Sequence, residues 1–205
     1  MKAVCRSIKL YWLYLILIGE KTVEVGKDFP KSEDWNKEVY LYGSKDKKSF
    51  NRIPEKDRGW MRKYIGKVAC RFVCDKIDTI GKRGINNNFD YCYQSLNVFG
   101  NDDIEVEITA IKKSCIPKAE LNAYGAYSVC LFAWHISDLV IYDKPRELSG
   151  FYHYCGDNPK CDGCEAHYYS NTECGKEDYC CSPIEGCKPL KSPFQSWGYV
   201  YEADT

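Results

Sequence analysis

The chain has 205 residues, 44% of them hydrophobic and 28% charged, which excludes a largely disordered polypeptide and fits one domain with an elaboration or a domain plus a small module. Its formal net charge of zero excludes the overall basic surplus of a protein that coats duplex DNA. The charge is unevenly placed, however. Residues 1–150 hold 25 Lys+Arg against 20 Asp+Glu and residues 151–205 hold 4 against 9, so any nucleic-acid surface is expected on the first part.

In chain order, Val4 to Ile8 reads as a short strand, and the apolar run Leu10 to Ile18 as a buried helix ended by Gly19. That run has the length of a signal-peptide core, but no small-residue cleavage site follows it and it is too short to span a membrane. Thr22 to Val25 alternates as a strand. A charged loop follows, then a strand at Glu38 to Tyr42, a polar loop from Gly43 to Arg58 and a long strand from Gly66 to Ile77. Residues 81–101, rich in Gly, Asn and aromatics, suggest a surface excursion, and Ser114 to Tyr124 a short helix ending near Gly125. Tyr127 to Ile141 reads as a central strand hairpin closed by Asp143-Lys144-Pro145, and Gln195 to Tyr201 as a final strand. Short strands of mixed spacing with two short helices point to an α+β, barrel-like domain rather than a doubly wound sheet.

Thirteen cysteines are an odd number for a disulfide framework. Six of them (Cys5, Cys70, Cys74, Cys92, Cys115, Cys130) stand singly among apolar or aromatic neighbours, as small buried hydrophobes do. A reducing, cytoplasmic compartment is expected. The other seven, Cys155, Cys161, Cys164, Cys174, Cys180, Cys181 and Cys187, crowd one segment with His153 and His167 interleaved. Cys161-Asp162-Gly163-Cys164 has the spacing that turns two thiolates toward one tetrahedral ion, so a structural zinc is expected on Cys161 and Cys164 with Cys180 or Cys181 and Cys187, Cys155 and Cys174 being the reserves. Disulfides or a plain cluster of thiols are the competing readings. Zinc would order a segment too poor in aliphatic residues to fold alone, and that segment could then meet a protein partner.

Several stretches carry a likeness: Ser7-Ile8-Lys9; Gly19-Glu20-Lys21-Thr22-Val23-Glu24-Val25; Trp134-His135-Ile136-Ser137-Asp138-Leu139, continued to Pro145; and Gln195-Ser196-Trp197-Gly198-Tyr199-Val200. Taken together and in this order, the chain resembles the ASCH domain family, and within it the longer ASCH-domain proteins of phages and prophages. The resemblance covers about residues 1–150 and the final strand. It implies a PUA-like mixed β-barrel over 1–150 and a last strand within 191–205 that returns to the barrel, and the composition of 151–190 marks that stretch as a cysteine-rich insert between them. It further implies an RNA- or nucleotide-binding cleft and no membrane association. The family pattern G-x-K-x-x-E-x-R is met by Gly19, Lys21 and Glu24, with Gly26 in the place of the arginine.

The candidate ligand-binding residues are therefore Lys9, Lys21, Glu24, Lys27, Trp134, His135 and Trp197. Lys21 would attract phosphate or a base carbonyl and Glu24 position the base, while flat rings stack unpaired bases. As neighbours on a strand, Trp134 and His135 should face opposite sides. The alternative is enzymatic. Small bacterial ASCH amidohydrolases remove the acetyl group of acetylcytidine with a Lys/Thr/Glu arrangement, of which Lys21 is matched and the Thr is replaced by Glu24, so efficient deacetylation is not expected. A ribonuclease role needs an acid–base pair that the sequence does not isolate, with Lys21 and Glu24 the nearest candidates. A protein-interaction module is the third reading.

Overall fold

The computed structural model describes residues 2–31, 35–85, 88–93, 109–153 and 189–202. Its described residues are mixed α+β, with ten strands among them, β1 (Ala3–Ile8), β2 (Val23–Gly26), β3 (Glu38–Gly43), β4 (Val68–Val73), β5 (Ile77–Ile85), β6 (Asn88–Tyr93), β7 (Cys130–His135), β8 (Ser137–Arg146), β9 (Phe151–His153) and β10 (Trp197–Glu202). Among the described residues the α-helices are α1 (Leu10–Leu17), α2 (Lys47–Phe50), α3 (Glu55–Met61), α4 (Thr109–Ser114) and α5 (Lys118–Tyr124), all short. The described strands form a six-stranded sheet in the order β8-β4-β3-β1-β10-β9 and a four-stranded sheet in the order β2-β7-β5-β6, neither closed on itself. No described helix is long and apolar enough to cross a membrane.

The chain divides into two compact units, one of Met1–Leu13, Ser32–Phe72 and Val140–Thr205, the other of Tyr14–Lys31 and Val73–Leu139. In the first, β1 is central, parallel to β3 (Val4 opposite Val39) and antiparallel to β10 (Ala3 opposite Val200). Strand alternation puts Ala3 and Cys5 on one face, where they pack with Tyr40, Tyr42, Val68, Leu148, Phe151, Leu190 and Val200. Burial alone pushes the thiols of Cys5 and Cys70 up to about 12, so both are inert apolar filling. At the rim of this core the Tyr40 hydroxyl donates to Glu202 Oε2 at 2.5 Å, Arg71 pairs with Glu38 at 2.7 Å and Arg146 pairs with Glu202. Desolvation, with the Glu38 carboxylate second, holds the Tyr40 phenol well above its usual range.

The second unit packs Val23 and Val25 of β2, Leu131 and Ala133 of β7 and Ile80 of β5 against Ala110 of α4 and Leu121 of α5. All five strand residues share one face, because register partners in antiparallel strands point the same way: Val25 opposite Ala133, Ile80 opposite Leu131.

Four sequence expectations are corrected. The polar loop of residues 43–58 contains α2, which Asp46 caps by accepting from the Lys48 N–H at 3.0 Å, and the start of α3 after Pro54. The long strand 66–77 is two strands, interrupted at Cys74–Lys76. Residues 127–141 are no hairpin: β7 and β8 belong to different sheets, with Asp138 in the left-handed region (φ 48°) at the switch, and β8 runs on to Arg146 through Asp143-Lys144-Pro145. The helix expected at 114–124 starts only at Lys118, as α5, because Ser114 ends α4 and Pro117 has no N–H to continue a helix; its end at Gly125 is as expected. In addition, within the stretch 81–101 read as a surface excursion, residues 81–85 and 88–93 are ladder-paired backbone, Gly81 opposite Cys92.

At Gly43 the backbone needs a missing side chain. Its N–H donates to the Lys67 carbonyl and its own carbonyl accepts from Gly66, and a Cβ would stand 2.5 Å from the Tyr64 carbonyl oxygen and 3.0 Å from a Leu13 methyl. Gly43→Ala should therefore destabilise the protein by about 1–3 kcal/mol through overpacking. A urea titration would show a lower midpoint at unchanged slope, and an unaltered midpoint would refute the clash.

Candidate functional site

Lys21 is positioned by the end of α1. Gly19 adopts a left-handed conformation (φ 80°), its N–H bonds the Ile16 carbonyl, and the Lys21 N–H reaches back to the Leu15 carbonyl at 3.0 Å. The glycine of the motif thus reverses the chain so that the lysine side chain enters the unit instead of leaving it. Lys21 precedes β2, so strand alternation does not separate it from Glu24. Its ammonium is buried (1% exposed) and has an oxygen for each of its three hydrogens: the Val23 carbonyl at 2.7 Å, the Ser114 carbonyl at 2.7 Å and Glu24 Oε2 at 3.2 Å.

The end of α4 completes this cluster. Ser114 gives its carbonyl to Lys21 and its hydroxyl to the Ile111 carbonyl at 2.6 Å, Lys113 gives its carbonyl to the Thr22 N–H at 3.0 Å, and Cys115 donates to the Glu20 carbonyl at 3.3 Å. A helix C-terminus has carbonyls without intrahelical partners, and here a cation and a strand edge take them. Chemically the arrangement is a buried ammonium whose donors are spent on protein oxygens.

Glu24, 7% exposed, lies opposite Trp134 in the β2–β7 ladder, and Trp134 is fully buried. His135 faces the other way, as alternation requires, and is 23% exposed. Its Nε2 lies 2.7 Å from Asp78 Oδ2 of β5, while Lys76 Nζ lies 2.9 Å from the same oxygen. Asp78 thereby fixes the imidazole's orientation. The sequence did not single out Asp78, because the β5–β7 register that brings it to His135 is a long-range pairing. Lys27 is exposed, its ammonium 4.9 Å from the centre of the Tyr124 ring, and does not join Lys21 and Glu24.

Lys9 and Trp197 lie in the first unit. Lys9 is exposed between β1 and α1, and Trp197 packs edge-on against Tyr199 at 5.4 Å, with Lys2 4.2 Å from the Tyr199 ring centre. Cys161, Cys164, Cys180, Cys181 and Cys187, with Cys155, Cys174 and His167, lie outside the described residues. His153 is described as the exposed end of β9, with its imidazole lowered from the usual range by partial burial.

A surface that none of the sequence motifs marks belongs to the first unit. Residues 45–67 hold 9 Lys+Arg against 3 Asp+Glu, six of the nine on α2, on α3 and on a 3-10 turn (Arg62–Tyr64), with Lys45, Arg52 and Lys67 in the segments beside them. Lys45, Lys47, Lys48, Arg52, Lys56, Arg62 and Lys63 are exposed, while Arg58 is committed to the Ile53 and Asn51 carbonyls and Lys67 to Glu147. Rings are interleaved with the charge. The Arg52 guanidinium lies 4.1 Å from the centre of Tyr11 and 4.9 Å from that of Trp12, and Trp60 is 38% exposed. Ser49, whose hydroxyl accepts from the Tyr11 N–H at 2.9 Å, ties α2 to the first turn of α1. The charge run alone could have revealed this surface.

Replacing Lys21 by Met would leave the Glu24 carboxylate and two buried carbonyls without their donor. The expected cost is about 3–5 kcal/mol in a urea titration, with part of it recovered in Lys21→Met/Glu24→Gln, where the stranded charge is gone. A loss below about 1 kcal/mol for the single variant would mean that the ammonium is not a structural fastener.

No protein-family model matches this chain, and no curated protein does. Among solved structures it is similar to two crystal structures of the ASCH protein of Zymomonas mobilis. One, a point mutant, shows 11% identity and a TM-score of 0.43 over 72% of this chain and 77% of that one. The other shows 12% identity and a TM-score of 0.39 over 71% of this chain and 73% of that one.

Proposed function

We propose that this chain is an RNA-binding protein whose contact surface is the basic, ring-bearing face of α2, α3 and the adjoining 3-10 turn. The observation that carries the reading is the concentration of exposed cations there: a chain with no net charge gathers 9 basic against 3 acidic residues into one 23-residue stretch, and seven of the nine are exposed. Phosphate contacts made by such side chains supply affinity without sequence demand. The sequence resemblance to the ASCH family supports RNA over DNA as the polymer. Hydrolysis through Lys21 is not part of this reading, since all three of its donors are taken by protein oxygens. We place the protein in a reducing, cytoplasmic compartment on its cysteine usage, including the free thiols of Cys5 and Cys70 in the core.

The test is binding of a labelled RNA oligonucleotide measured against salt. The logarithm of affinity should fall linearly with the logarithm of salt concentration, and Lys47→Gln/Lys48→Gln should reduce the slope by about 0.7 for each phosphate of a single strand that the protein no longer neutralises. Absence of binding at low salt would refute the proposal.

The same reading includes zinc in the segment after β9, held by Cys161 and Cys164 together with Cys180 or Cys181 and Cys187, on the strength of the Cys-x-x-Cys spacing. Metal analysis of protein purified without chelator should find zinc, and stripping it should expose residues 154–188 to protease while the sheets stay folded. Paired cysteines with no metal would replace zinc by disulfides.

A further inference from the structure

The basic face differs from a plain electrostatic patch in where its rings stand. Arg52 lies with its guanidinium against Tyr11 and Trp12, whose own rings meet edge-on at 4.9 Å, and is itself exposed. Trp60, on α3, is 38% exposed; it is braced by an edge-on contact with Tyr64 at 6.1 Å and by its indole N–H donating to Asp57 Oδ1 at 3.3 Å. An exposed guanidinium backed by rings and a braced indole are flat platforms of the kind on which unpaired bases stack. Duplexes hide those base faces inside the helix. The helices that carry the charge are four and seven residues long, roughly 6 and 10 Å at 1.5 Å per residue, and so offer no extended recognition helix for a major groove.

We infer that the occupant of this face is a single-stranded segment of RNA, its phosphates on the lysines of α2 and α3 and its bases stacked on Arg52 and Trp60. This rests on the RNA-binding reading and narrows it. Charge complementarity selects a polyanion, and the platforms select one with accessible base faces.

The experiment compares a labelled 12-nucleotide RNA with the same sequence as a 12-base-pair duplex, using the full chain, by fluorescence anisotropy at low salt. Two variants separate stacking from charge. Arg52→Lys keeps the cation and removes the plane, and Trp60→Leu removes the indole. Each should weaken single-strand binding by about tenfold, leave the salt slope unchanged and alter duplex binding less than twofold. Because Arg52 is exposed, Arg52→Lys remains informative even where Trp60→Leu unfolds. Equal or tighter duplex binding, or an Arg52→Lys variant that holds the single strand as well as the parent, would overturn the stacking inference and leave RNA binding standing. Failure to bind either RNA would remove both, as would binding confined to vesicles containing phosphatidylserine.

Discussion

Taking an ammonium out of water costs several kcal/mol unless the interior returns the hydrogen bonds that water gave it. In the second unit three oxygens from three places in the chain make that return to Lys21: the first residue of β2, the last residue of α4 and Glu24 in the middle of β2. The cluster therefore couples the turn after α1 to a helix some ninety residues later, and the Lys113–Thr22 and Cys115–Glu20 bonds follow from that coupling. With the turn fixed, β2 starts in register and Val23 and Val25 fall on the face that α4 and α5 cover. Glu24 then stands opposite the buried Trp134. A motif that in sequence looks like a ligand clamp makes, in this fold, contacts that tie its own unit together.

In the first unit a comparable constraint is steric. Gly43 and Gly66 allow the end of β3 and the entry to β4 to close on each other through Gly66 N–H to Gly43 carbonyl and Gly43 N–H to Lys67 carbonyl bonds. Everything between them, including α2, α3 and the 3-10 turn, is thereby a closed excursion with both feet on the sheet. Its inner residues Ile53, Met61 and Tyr64 are buried, which leaves the cations to face outward. A charged surface built this way is held by packing rather than by a free loop, and rings such as Trp60 keep a set orientation on it.

What was legible in the sequence followed from local rules. Alternation gave β1, β3 and β10, the apolar run gave α1, and Gly19 marked its end. Alternation also separated Trp134 from His135 correctly. What was not legible depended on partners far away or on elements too short for periodicity to register. α2 has four residues and no apolar stripe, so it reads as polar loop. The stretch 127–141 is apolar on both sides of His135-Ile136-Ser137-Asp138, and those polar residues fit the turn of a hairpin as well as a change of sheet, which only the distant strand partners decide. The burial of Lys21 could not be read at all, since nothing near it in sequence announces that the Ser114 carbonyl will reach it.

The central strand of the six-stranded sheet has one neighbour supplied early and one supplied very late. β3 can lie beside β1 as soon as the first forty-odd residues are available, but the antiparallel partner on the other side, β10, pairs Ala3 with Val200. During synthesis at the ribosome β1 must therefore present an unsatisfied hydrogen-bonding edge until the residues around Val200 have been made. The cysteine-rich segment emerges just before that edge is closed. Assembly of the first unit is thus a late, long-range event with a large loop-closure cost, so this sheet is the slow part of folding and the one most exposed to mispairing with a neighbouring chain.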